Sequence, residues 1–168
     1  MINDYKEAFE KTKVAGLIAA GALDEVFKII KPGIKTNQID KLCYEYLNDH
    51  GAYSAPLFYR GFPKSCCTST NHIVCHGIPS DKVLKDGDIV NVDVTAFKDG
   101  WHGDTSRTFE IGEVSIKTKK LVNVTYEAMM KAIKIVKEDI HLKIYLKKKL
   151  LLGGLLLVIG MIISYTKM

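Results

Sequence analysis

The 168-residue sequence predicts an α+β fold, an antiparallel sheet with covering helices, from three observations. Two amphipathic helical patterns come first, an alternating apolar–polar hairpin fills Asp88–Glu110, and a further helical pattern follows it.

The first helix is expected to be capped by Asn3, with Asp4 and Glu7 in its first turn. Val14, Leu17, Ile18, Leu23, Val26, Phe27 and Ile30 recur near a helical period and mark its expected buried face, and Lys31-Pro32-Gly33 stops the run. Thr36 is expected to cap a second helix through Ile39, Leu42, Cys43, Tyr46 and Leu47, ending around His50-Gly51. Residues 54–64 form an aromatic-rich loop punctuated by Gly and Pro. Ser65–Thr70 and Ile73–Cys75 are short β-prone segments, which places His76 where a strand gives way to a turn. Beyond the hairpin, Ile116–Val136 reads as a lysine-flanked amphipathic helix, so the predicted order is α-α-β-β-β-β-α.

The hairpin carries the chemistry. Asp99-Gly100 is the dipeptide best suited to the positive φ angles of a two-residue loop. That loop pairs Lys98 with Trp101, sets Thr95 opposite Asp104 and Asp93 opposite Ser106, and makes Asp93 and Asp104 diagonal neighbours on one face. Two carboxylates aimed at one spot on a half-buried sheet repel, and need either a shared proton or a cation between them. Oxygen-rich sites suit hard or borderline divalent ions. Two solvated carboxylates on an open face would give the same spacing, and the hairpin alone does not choose. Taken alone, Tyr59, Phe62 and Cys67 read as packing residues more readily than as the rim of a pocket, His76 reads as a satisfied polar side chain more readily than as a functional one, and His72 and His102 have no orienting partner nearby.

Composition excludes several classes. A hydrophobic content of 47% with 26% charged residues fits a globular chain. The net charge of +5 comes from lysines gathered in Lys117–Lys149, with no basic stripe interleaved with aromatics, so no nucleic-acid partner is expected. Cys43, Cys66, Cys67 and Cys75 contain no C-x-x-C pair, which argues against a zinc finger or a disulfide framework. The charged N-terminus has no apolar run resembling a signal peptide, so a cytoplasmic location is expected.

Three strings, KPGIKT at 31–36, GFPKSCCTSTNHIVCHGIP at 61–79 and LKDGDIVNVDVTAFKDGWHGDTSRTF at 84–109, together closely resemble methionine aminopeptidase of the bacterial type, from about residue 5 to Leu142. The resemblance implies the N-terminal half of the pita-bread fold, incomplete here, and an enzyme that removes the initiator methionine from nascent chains. It implies a site with two divalent ions (Co, Mn, Fe, Zn or Ni) and a monomer. Asp93 and Asp104, eleven residues apart, match the first two metal ligands. His76 matches the histidine near the scissile bond, in a catalytic and substrate-binding role. Tyr59, Phe62 and Cys67 match positions lining the methionine pocket, with Phe62 where tyrosine is common and Pro56 where a small residue is common. Asn71 and Ile73 match positions of a monovalent-cation site.

The same resemblance implies three further metal ligands, a histidine and two glutamates, yet residues 143–168 contain neither histidine nor carboxylate. The chain therefore divides into 1–142, the family half-domain, and 143–168, an unrelated apolar tail, and is expected to be inactive alone. A non-catalytic peptide-binding module is the alternative from another class. Leu150–Ile163 is fourteen uncharged residues after a lysine run, about 21 Å as a helix against a hydrocarbon core of ~30 Å, a short membrane anchor at best. A frameshift near codon 143 is the expected origin of the tail. Reading the downstream DNA in the other two frames tests it: one frame should supply the missing histidine and glutamates, and their absence from both would sink the idea.

Overall fold

The computed structural model describes residues 2–134. Residues up to Ser115 form one compact unit and a second begins at Ile116. In the first unit, helix α1 (Ile2–Ile29) and helix α2 (Thr36–Asp49) precede strand β1 (Tyr53–Ser54), a 3-10 turn (Tyr59–Gly61), and strands β2 (Cys67–Thr70), β3 (Ile89–Lys98) and β4 (Trp101–Glu110). All pairing is antiparallel and centred on β3, which has β1 and β2 along one edge and β4 along the other. In the second unit, helix α3 (Ile116–Ile133) carries the i,i+4 pair Glu127–Lys131 and a Thr125 hydroxyl donating to the Leu121 carbonyl. The expected continuation of α3 to Val136, and the tail 143–168 with Leu150–Ile163, lie outside the described residues. Among the described residues no helix is long and apolar enough to cross a membrane.

The hairpin forms in the expected register, from Lys98↔Trp101 at the turn to Ile89↔Glu110. Asp99 and Gly100 both take positive φ, 51° and 89°. Val90, Val92, Val94 and Ala96 alternate into the core with no exposed surface, each valine stabilising the fold by roughly 1.5–3 kcal/mol through burial.

The covering face of α1 differs from expectation. Leu23 and Val26 are buried as expected, but they share the face with Ala15, Ala19 and Ala22, whereas Val14, Leu17 and Phe27 are exposed. The reason lies across the interface. A Cβ on Gly103 of β4 would overlap the backbone of Ala15 and Gly16, so helix and strand touch main chain to main chain. At that separation only small side chains fit between them. Gly21 plays a similar part toward α2, since a Cβ there would collide with the Tyr46 hydroxyl. The apolar face of the sheet is therefore covered.

Three local expectations are corrected. Helix α1 already includes Asn3, so that residue is not its cap. Thr36 is the first helical residue of α2 rather than its cap; Lys35 holds that position, its amide donating to Gln38 Oε1 at 2.9 Å. Thr36 is drawn inward because its hydroxyl donates to the Ser80 carbonyl and accepts from the Ser80 amide. The amides of Thr36 and Asn37 donate to the carbonyls of Lys82 and Ser80, which supplies partners for two orphan donors of the helix start. Ile73–Cys75 is not a strand. Asn71, at φ 54°, turns the chain out of β2, its amide donates to Ile89 O, and its side-chain amide donates to Asp88. The remaining strand is instead β1, two residues that sequence periodicity is too short to reveal.

Replacing Gly103 with valine should cost at least about 3 kcal/mol in urea unfolding, because the contact it breaks is backbone against backbone. Gly16→Ala, where a Cβ meets nothing, should be neutral or stabilising by up to about 1 kcal/mol.

Candidate metal centre

The polar face of the sheet follows from the register. Asn91, Asp93 and Thr95 of β3 point to the face opposite the valines, with Cys67 and Ser69 beside them on β2 and Asp104, Ser106 and Thr108 on β4. Asp93 is paired with Cys67 on one side and Ser106 on the other. Asp104 faces Thr95, whose hydroxyl donates to Asp104 Oδ1 at 2.9 Å and fixes that carboxylate in place. One turn of the pleat away, Asn91 donates to the Thr108 hydroxyl.

The two carboxylates meet. Burial pushes the Asp93 carboxyl up to about 7, and the charge of Asp104 and a hydrogen bond shared with it push in the same direction. In the absence of a cation, then, the pair tends to hold a proton between its members. A proton and a divalent ion answer the same need, so the residues present fit part of a hard-cation site. They fit only part of one: no group of three or more His, Cys, Asp or Glu among the described residues is placed to hold a metal.

Cys67 sits against this pair as a neutral wall. Burial pushes its thiol up to about 12, and the charges of Asp93, Cys75 and Asp104 add to the effect, so with no cation beside it the sulfur keeps its proton near neutral pH. Cys66 and Cys43 are buried on the core side, where a hydrogen bond between the thiols, together with burial, raises Cys66. All four cysteines are free.

The other expected residues lie on loops tied to this sheet. His76 is exposed at φ 53°, directly before Gly77, whose carbonyl accepts from the Thr68 amide and whose own amide donates to the Ser69 hydroxyl. A Cβ on Gly77 would strike the Thr68 backbone, so this glycine lets the His76 loop lie flat along β2. Tyr59 and Phe62 flank the 3-10 turn, where the Phe62 amide donates to the Tyr59 carbonyl; Tyr59 is 45% exposed and Phe62 half-buried. The structure thus gathers Asp93, Asp104 and Cys67 on one face and sets His76, Tyr59 and Phe62 on neighbouring loops. Asn71 and Ile73 occupy the turn after β2, with the Asn71 side chain engaged by Asp88 and the Ile89 amide.

Two supports escaped the sequence reading. Asp40 of α2, nearly buried, accepts from the amides of Ser65 at 2.7 Å and Cys66 at 3.3 Å and lies 3.6 Å from Lys64 Nζ, which fixes where β2 begins. Its signal was a lone carboxylate beside Ile39 on the apolar stripe of α2. Ser69, which holds the Gly77 amide, had no signal in the sequence.

The chain matches the model of metallopeptidase family M24 over residues 10–145. It is 55% identical over 129 residues to a methionine aminopeptidase of Rickettsia prowazekii, covering 77% of this chain and 50% of that protein. It is also 55% identical over 131 residues to methionine aminopeptidase 2 of Mycobacterium tuberculosis, covering 78% of this chain and 46% of that one. The crystal structure of the Rickettsia prowazekii methionine aminopeptidase superposes with a TM-score of 0.75 at 55% identity, over 76% of this chain and 52% of that one. The chain spans about half the length of the curated relatives it matches.

In a chelating buffer the pH dependence of stability should carry the signature of Asp93. The folded chain keeps the Asp93 proton up to about pH 7, whereas an unfolded chain releases it near 4. Folding thus binds a proton in that window, and stability falls as pH rises through it, by at most about 4 kcal/mol. Asp93→Asn should remove most of this slope in urea titrations from pH 4 to 7.5; an unchanged slope would show that Asp93 does not keep its proton beside Asp104 in the folded chain.

Proposed function

The chain belongs to metallopeptidase family M24, and on that premise we propose that residues 1–142 are the N-terminal half of a methionine aminopeptidase catalytic domain, followed by a non-family segment, 143–168. The reaction is hydrolysis of the first peptide bond of a nascent polypeptide to release the initiator methionine. The observation that carries this reading is the Asp93–Asp104 pair, a half-buried and an exposed carboxylate that meet on one face of a hairpin, the second held by Thr95.

Membership of a metallopeptidase family implies metal chemistry. We assign two divalent ions to the site, with Asp93 and Asp104 as ligands from this half. When bound, such ions lower the pKa of a shared water toward neutrality and polarise the scissile carbonyl. The chain's own residues do the rest. Thr95 keeps Asp104 oriented. Cys67, held neutral by burial, walls the site beside Asp93 and, with Tyr59 and Phe62, offers an apolar, polarisable surface to a methionine side chain. His76, exposed on the Gly77 loop, is in reach of solvent and of an incoming peptide, where an imidazole hydrogen-bonds the substrate or passes a proton. The partner is the N-terminal methionine of a polypeptide in the cytoplasm; no nucleic acid enters this reading.

Two carboxylates do not enclose two divalent ions, so turnover needs ligands from outside residues 1–168. On a Met-Ala peptide with cobalt or manganese, the chain alone should release methionine at under about 1% of the rate of a full-length enzyme, as loss of several members of one catalytic unit requires. Comparable turnover would overturn this, and binding of the peptide by calorimetry without hydrolysis would recast the chain as a binding module. Asp93→Asn and Asp104→Asn should each weaken manganese binding at least about tenfold, measured by electron paramagnetic resonance of free ion.

A further inference from the structure

The buried thiols on the core side of the sheet take no part in the site. Cys43 of α2 and Cys66 at the entry to β2 lie in one core cluster with Leu47 and Ala52, and neither has exposed surface. Three contacts draw them together. Asp40 and Cys43 stand one turn apart on the buried face of α2. Asp40 Oδ1 accepts from the Cys66 amide at 3.3 Å and lies 3.9 Å from Cys66 Sγ. The Cys43 and Cys66 thiols are hydrogen-bonded to each other. The remaining cysteines are placed apart from this pair: Cys67 points to the opposite face of the sheet, beside Asp93, and Cys75 is exposed.

Thiols in hydrogen-bond contact need to approach by only about 2 Å to reach the S–S bond length of about 2.05 Å, a gap that side-chain rotation closes. Asp40 stands against that step. Its carboxylate accepts from the amides of Ser65 at 2.7 Å and Cys66 and lies 3.6 Å from Lys64 Nζ, so it pins the entry of β2 and with it Cys66. The bond from Cys43 and burial hold the Cys66 thiol protonated, and the Asp40 charge beside the sulfur adds to both. Only a thiolate attacks a disulfide, so Asp40 restrains Cys66 twice, by position and by charge.

We propose that Cys43 and Cys66 are a redox-responsive pair, closed into a reversible disulfide by a small-molecule disulfide of the oxidised-glutathione class, with Asp40 as the latch that slows the reaction. When the β2 entry opens, the Cys66 thiolate attacks one sulfur of the small disulfide. That S–S bond breaks, one small thiol leaves with a proton, and Cys66 carries the other half as a mixed disulfide. The Cys43 thiolate then attacks the Cys66 sulfur, the Cys43–Cys66 bond forms, and the second small thiol leaves. Two protein thiols are oxidised and one small disulfide is reduced to two thiols. The new bond staples α2 to the entry of β2 and closes residues 43–66 into a covalent ring that holds β1 and the loop carrying Tyr59 and Phe62. Such a ring restricts the unfolded chain far more than the folded one, so oxidation stabilises the fold. A reducing thiol reverses it by the same two exchanges.

The full chain, folded and incubated with oxidised glutathione, is quenched in acid, alkylated in urea and mapped by peptide mass spectrometry before and after dithiothreitol. The expected product is a Cys43–Cys66 linked peptide pair, two hydrogens lighter than the reduced peptides, that dithiothreitol separates. In the Cys75→Ser background, which removes the exposed thiol, oxidation should raise the folding equilibrium constant at least about tenfold in urea titrations. Asp40→Asn keeps an oxygen for the Ser65 and Cys66 amides but removes the charge, and should speed formation of the link at least about threefold. Cys43→Ser should stop the reaction at one glutathione on Cys66. Mapping of the unsubstituted chain needs no variant, so it decides the pairing even where a variant fails to fold by circular dichroism. Cys43 and Cys66 both alkylated after oxidation, or a Cys67–Cys75 link in their place, overturns the proposal, as does a Cys43–Cys66 link formed only when the incubation itself is in urea. A link that lowers stability overturns the staple, and an Asp40→Asn rate equal to that of the unsubstituted chain overturns the latch.

Discussion

The register of β3 against β4 is the constraint on which the remaining structure depends. Asp99-Gly100 closes a two-residue loop, and every pair from Lys98↔Trp101 to Ile89↔Glu110 follows without a bulge. Because side chains alternate with a period of two, a slip of one residue on β3 would carry Asp93 into the core and expose Val92 and Val94. The core valines and the carboxylate site are therefore the two faces of one choice. Burial of the valines, not attraction between acids, holds the acids together, and the raised Asp93 carboxyl shows that the fold carries an electrostatic cost to do so.

Around this hairpin the other elements are placed by a small number of polar contacts at chain junctions. Lys98, at the end of β3, donates to the carbonyls of His50 and Gly51, satisfying acceptors just past the end of α2 with a cation where the helix dipole favours one. At the other side of the sheet, Asp40 of α2 receives the amides that open β2. Helix α2 is thus tied to both β3 and β2. The His76 loop is tied to β2 through Thr68, Ser69 and Gly77, so the loop residues of the site inherit their position from the same strand that carries Cys67. Thr68 and Thr70, on the core side of β2, have buried hydroxyls without a hydrogen-bond partner, a local cost in an otherwise well-paired strand.

Among the described residues, Asp93 and Asp104 meet on the polar face of the sheet, and β4 pairs with a strand on one side. This chain spans about half the length of its M24 relatives, and its antiparallel sheet with covering helices shares their pita-bread fold. The apolar face of the sheet is covered. Helix α1 closes it through the Gly103 contact, so the unit up to Ser115 has a core of its own, with Leu23, Val26, Ile39, Leu47, Leu84 and Ile111 joined to the β3 valines.

What the sequence determined by itself was the hairpin, its register, and hence the meeting of Asp93 with Asp104 and of Thr95 with Asp104. These depend on a local turn dipeptide and strict alternation, both of which are written in consecutive residues. The α+β order and the two leading helices were legible for the same reason. Tertiary structure alone decided which face of α1 is buried, because the answer depends on a glycine in a strand some ninety residues away that draws the helix close and leaves room only for Ala15, Ala19 and Ala22. It decided that Lys35 rather than Thr36 caps α2, since Ser80 competes for the threonine hydroxyl, and that Asn71 ends β2 and leaves Ile73–Cys75 without a ladder. It also decided that Cys67 stays a neutral thiol, because its state is set by burial and by the charges across the sheet, and neither is a property of the neighbouring sequence.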